Sequence, residues 1–225
     1  MIFGDHVEIP ATAAAATWIA RARRGEGGTV GALVPNVYES FLRVRAPSGE
    51  VVDWWARYRD LFGIVASIGE RHTTSADRAW FAVWEGHGFT NATTHVAWPD
   101  PAPDEPTRRA RAAARARLRE EDHRRHAATE RSLSRVPRFE LPHRTYYLIR
   151  GPVSAVTRLA EPGAPETWRH PDLFWPDDRS WFVATDVDFW SLYVGGDPAF
   201  ISAIGASVPT ESAIVALDTR IEVED

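Results

Sequence analysis

The run Trp181-Phe-Val-Ala-Thr-Asp-Val187 constrains the fold more than any other stretch of the chain. Read as a strand, it puts Trp181, Val183, Thr185 and Val187 on one face and Phe182, Ala184 and Asp186 on the other. Both faces are apolar where the run begins. A solvent-washed strand would carry a polar residue at every second position, so this one is expected at the centre of a sheet covered on both sides. Pro176-Asp177-Asp178 supplies the turn before it. Downstream, Gly195-Gly196 is expected to turn the chain, Asp197 to cap a helix, and Pro198 to open that helix, where no N–H is needed. Phe200, Ile201 and Ile204 share a face of this helix, and Gly205 is placed to end it.

Around this centre the pattern alternates between helix and strand. Pro10–Arg24 reads as an Ala-rich helix, Thr29–Val34 as a short strand and Tyr38–Val44 as another. Asp53 is placed to cap an amphipathic helix, with Trp54, Tyr58, Leu61, Phe62, Val65 and Ile68 at helical spacing. Asp77–Glu85 and Thr145–Arg150 read as strands, Val153–Leu159 as a short helical stretch and Ala213–Leu217 as the last strand. Asp77-Arg-Ala-Trp-Phe81 echoes Asp178-Arg-Ser-Trp-Phe182, which suggests two strands entering one sheet in the same way, with Glu85 and Asp186 at their far ends. The fold class expected is α+β: an antiparallel or mixed central sheet with packed helices.

Residues 99–137 differ from the rest. They open on a proline-rich stretch and continue as an Ala/Arg/Glu run, with eleven arginines against four acids between Arg108 and Arg138. Leu118 and Leu133 are the main large apolar residues, so the run cannot bury a full helical face and reads as an exposed, Arg-rich helical insertion, dispensable for folding. Residues 1–98 and 138–225 are then the two parts of a single domain.

Composition narrows the chemistry. With 44% hydrophobic residues and ten tryptophans the chain has ample material for a core. It has no cysteine, which excludes a disulfide framework, a thiolate zinc site and a cysteine nucleophile. All 26 basic residues are arginine, which excludes a lysine Schiff base and a Walker-type lysine. A net charge of −5 gives no global attraction to nucleic acid or anionic membranes. No window approaches a membrane span and the start lacks the pattern of a signal peptide, so a cytoplasmic protein is expected.

Four motifs in order, Trp80-Phe-Ala-Val-Trp-Glu-Gly86, Tyr147-Leu-Ile-Arg-Gly-Pro152, Trp175-Pro-Asp-Asp-Arg-Ser-Trp181 and Tyr193-Val-Gly-Gly196, resemble those of a family of uncharacterised actinobacterial proteins. The resemblance spans about Val34 to Glu211 outside the Arg-rich run. It carries no activity with it, so it assigns no functional residues.

The candidate catalytic residues are the acids Glu85, Asp186 and Asp188. Clustered carboxylates can shift one another's protonation for acid-base work or hold a divalent cation. Against this stands a plainer reading, in which they are strand-end residues paired with arginine. Trp84, Trp175, Arg179 and Tyr193 are candidate ligand-binding residues, the tryptophans being read first as core and Arg179 as a turn residue paired with an acid. Glu120-x-x-His123-x-x-His126 has helical metal-ligand spacing, but in a solvated charged run it carries little weight, and no metal or cofactor is expected. The arginine stripe 108, 111, 115, 119 lacks aromatic neighbours to stack on bases, which argues against nucleic acid. The sequence reads best as a non-catalytic binding or interaction protein of the immunity or accessory type, with another protein as partner. The alternative is a hydrolase-like enzyme using the three acids.

Overall fold

A computed structural model describes residues 2–23, 27–46, 51–89, 104–186 and 189–221, with backbone alone for 51–54 and 189–190. The described residues build an eight-stranded antiparallel sheet. Its strands are β1 (Ser40–Arg45), β2 (Ala79–Trp84), β3 (Arg138–Leu141), β4 (Arg144–Gly151), β7 (Leu173–Pro176), β8 (Phe182–Asp186), β9 (Phe189–Gly196) and β10 (Ser212–Val215), in the order β10-β1-β9-β8-β7-β2-β4-β3. A separate hairpin pairs β5 (Ala160–Glu161) with β6 (Ala164–Trp168). The protein is α+β, and β8 lies inside the sheet as its two-faced apolar pattern requires.

Each face of the sheet has its own core. On one side, Trp181, Val183 and Val194 pack with the apolar stripe of α3 (Val51–Gly69) and with Phe200, Ile201 and Ile204 of α5 (Pro198–Ser207). On the other, Phe182, Ala184 and Trp175 pack under α1 (Thr17–Ala22) and α2 (Val30–Leu33). Trp181 is fully buried and its indole N–H donates to the Gly69 carbonyl at 3.0 Å, tying β8 to the end of α3. Asp197 caps α5 by accepting the Phe200 N–H at 2.8 Å.

The echoed segments occupy related places. β2 and β8 both flank β7 and run antiparallel to it, so they share a direction. The turns before them brace each other. Asp178 accepts from the Thr73 hydroxyl and the Thr74 N–H at 2.8 and 2.7 Å, and the Trp80 indole donates to Asp177 at 2.9 Å. Burial opposes ionisation of Asp178, but these donors and the Ser180 N–H outweigh it and hold the carboxyl down at about 2.

Five sequence expectations differ from the structure. The Ala-rich helix placed from Pro10 starts as a 3-10 turn at Ala14 and becomes α-helical only at Thr17. Gly195-Gly196 does not turn the chain but ends β9; a Cβ on Gly195 would meet Tyr38 at 2.7 Å, and one on Gly196 would meet Phe200 at 2.5 Å. These glycines let a ring approach the strand closely from each side. Residues 30–33 are a helical turn, because Val30 and Val34 are both buried at i, i+4 spacing and the carbonyls of Thr219 and Leu217 accept the Val30 and Gly31 N–H groups. Over so few residues that spacing is indistinguishable from strand alternation. The long amphipathic helix already begins at Val51, ahead of Asp53. Gly205 lies within α5, whose last turn is anchored by buried Val208; that burial offsets the roughly 1 kcal/mol a helical glycine costs.

The Arg-rich run forms α4 (Glu105–Leu133), capped by Asp104, which accepts the Thr107 N–H at 2.7 Å. Most of its side chains are exposed, yet Thr129 and Leu133 are buried and Val136 follows them into the core. The two ends of the helix should therefore behave differently on deletion. Replacing 100–127 by a short Gly/Ser linker is expected to move the melting temperature by less than about 3 °C. Extending the deletion through Val136 removes two core side chains and should cost about 2–5 kcal/mol. Thermal unfolding of the two deletions compares them, and equal losses would contradict this reading.

Candidate functional site

The far ends of β2 and β8 and the near ends of β4 and β7 meet at one end of the sheet, as the antiparallel pairings dictate. Glu85 and Asp186 both arrive there but not together. Glu85 accepts from Arg138 at 2.8 Å and from the Tyr147 hydroxyl at 3.1 Å, on the face packed by α3. Asp186 accepts from Arg144 at 2.7 Å on the opposite face, beside Tyr146. Asp188 lies outside the described residues. Each described acid thus has its own arginine. Asp186→Asn is expected to lower stability by about 1–3 kcal/mol through loss of a charge-assisted hydrogen bond. Denaturant melts measure this, and a stabilised variant would contradict it.

The candidate ligand-binding residues fall in several places. Trp175 and Tyr193 are buried in the core on the α1 side. Trp84 is half-buried and lies under the Arg144 guanidinium, 4.4 Å from its ring centre. Arg179 adopts a left-handed backbone, φ 58°, in the turn before β8 and lies over the Trp18 ring at 5.0 Å.

A cleft of about 390 Å³ opens between α1, α2 and the β3–β4 turn, at this same end of the sheet. Its polar groups are Arg23, Arg144, Tyr146, His143, Thr185 and Asp186. Ala20, Ala32, Leu33, Leu141 and Leu173 supply much of the rest. Alternation along β4 sends Arg144, Tyr146 and Leu148 to this face, and Arg23 follows α1 on the side of buried Ala16 and Ile19. Arg144 is held between the Asp186 carboxylate and the Trp84 ring.

Arg23 is different: its Nε is buried without a hydrogen-bond partner among the described residues. Burial lowers its proton affinity from the usual guanidinium value; the fields of Tyr146 and Asp186 oppose this and that of Arg144 adds to it. Burial also raises the Tyr146 phenol to about 12, with Asp172 adding and Arg23 and Arg144 opposing, so the phenol remains a donor.

Beneath this end lies a second polar group. Asp172 is buried and accepts the Trp84 N–H at 2.7 Å and His87 Nε2 at 3.0 Å. Arg169 approaches His87 Nδ1 at 3.3 Å and also pairs with Glu161. Arginine only donates, so His87 Nδ1 accepts and its Nε2–H points to Asp172. Both ring nitrogens are occupied, which makes this histidine–aspartate pair a structural brace between β2, β7 and β5, not a free general base. Next to it, His170 is enclosed by the rings of Trp55 and Phe62, each centred 6.0 Å away, and burial pushes its imidazole down to about 4 against the pull of Asp172.

Among the described residues no group of three or more His, Cys, Asp or Glu side chains could hold a metal ion, and no described helix is long and apolar enough to cross a membrane. Compared with known proteins, the chain matches no family model, no curated protein and no solved structure.

Sequence reasoning passed over Arg23, Tyr146 and Arg144. One signal was present: Arg23 continues the Ala16, Ile19 stripe of an otherwise apolar helical face. Arg144 and Tyr146 precede buried Leu148 at every second position of their strand and so share its face in the same way.

Proposed function

We propose that the protein is a binding protein that receives a small anionic molecule in the cleft beside α1. The observation that carries this reading is Arg23, which lines the 390 Å³ cleft and whose buried Nε is unpartnered among the described residues. A buried guanidinium N–H without an acceptor is costly, and a ligand oxygen can supply the missing partner. The volume suits a small molecule. Binding is favoured over acid-base catalysis because Asp186 is engaged by Arg144, Tyr146 holds its proton, and Glu85 faces the other side of the sheet. A cytoplasmic setting suits a chain without cysteine.

The test is thermal unfolding with benzoate, inorganic phosphate or citrate at constant ionic strength. At least one anion should raise the midpoint, with stabilisation near 2.7 kcal/mol at about a hundredfold excess over its Kd. Arg23→Met should abolish the shift. No shift from any of the three, or an equal shift in the variant, would refute the reading.

A further inference from the structure

Resting on that reading, we infer that the cleft selects a monocarboxylic acid with a compact apolar body over phosphate or a polycarboxylate. The charge of the site sets the first limit. Arg144 already bonds Asp186 and stacks on Trp84, so Arg23 is the guanidinium left to meet an incoming anion. One cation in a desolvated cleft compensates one negative charge. A phosphate dianion or citrate would bring further charge toward the Asp186 carboxylate, with no cation released to meet it.

The donors set the second limit. A carboxylate offers two acceptor oxygens, and the cleft offers the planar Arg23 fork and the Tyr146 phenol, which remains protonated. The walls set the third. Ala20, Ala32, Leu33, Leu141 and Leu173 line the same cavity and give a ligand's hydrocarbon somewhere to bury, whereas a fully polar ligand would leave them facing unmatched groups. An acid head at Arg23 with a ring or short chain against Leu33 and Leu173 uses both parts of the cleft.

Isothermal titration of the full chain with benzoate, hexanoate, acetate, inorganic phosphate and citrate, at fixed ionic strength, tests this. Benzoate or hexanoate should bind at least about tenfold tighter than phosphate, citrate or acetate. Tyr146→Phe should weaken that binding several-fold, and Arg23→Met should abolish it. Tighter binding of phosphate or citrate, lost in Arg23→Met, would overturn the monocarboxylate assignment while leaving an anion site in place. Benzoate binding unchanged in Arg23→Met would overturn the assignment too, since the acid head would then play no part. Absence of binding by all five would sink both the assignment and the function on which it rests.

Discussion

Trp181→Ala should lower the free energy of unfolding by about 3–5 kcal/mol, the range for truncating a large buried aromatic side chain. Trp181 has no solvent exposure, stacks at 5.6 Å on Phe200 of α5 and meets Phe174 of β7 edge-on at 4.8 Å. Its truncation would open a void where α3, α5 and the sheet converge, and would leave the Gly69 carbonyl without the indole N–H. Trp181→Phe keeps most of the packing and loses only the indole donor, so it should cost much less. Chemical denaturation of the two variants measures the difference. A loss below about 1 kcal/mol for Trp181→Ala would mean that this side chain does not organise the core.

Asp172→Ala is expected to be as damaging, by about 3–5 kcal/mol, because two buried donors lose their acceptor. The substitution leaves the Trp84 N–H and the His87 Nε2–H without their acceptor in a buried site. It also removes the buried carboxylate from a chain that runs from Glu161 through Arg169 and His87 to Asp172. Asp172→Asn retains one carbonyl oxygen and should lose about half as much. Equilibrium unfolding of both variants decides the matter, and near-neutral behaviour of Asp172→Ala would show that the brace contributes little.

The parts of this fold that were legible in the sequence are those whose cause is local. Both faces of the Trp181–Val187 run are apolar at its start, from Trp181 to Ala184, and β8 lies in the interior of the sheet. Asp197 and Pro198 announce α5 by helix-cap chemistry alone. The repeated acid-arginine turn led correctly to two strands of one direction with acids at the same end. The pairing of those acids was less accessible, because the sheet has two faces and Glu85 and Asp186 leave it on opposite ones.

What was not legible depends on contacts between distant residues. His87 and Asp172 are 85 positions apart, and Arg169 and His87 are 82 apart, so no window of sequence contains the brace. The cleft draws one arginine from α1 and another from β4, brought together only by the strand order. Gly195-Gly196 misled for a related reason: the rings that need the space come from Tyr38 and Phe200, and a glycine pair looks the same whether it bends the chain or admits a neighbour.

The account turns on Arg23, whose buried Nε–H lacks an acceptor among the described residues. Arginine side-chain ¹H–¹⁵N spectra, assigned by Arg23→Met and Arg144→Met and recorded during a benzoate titration, examine that group itself. The Nε–H resonance of Arg23 should shift saturably as the carboxylate reaches it, with smaller changes at Arg144 and none at the exposed arginines of α4. A titration that leaves Arg23 unmoved, or moves the α4 arginines as much, would contradict the account.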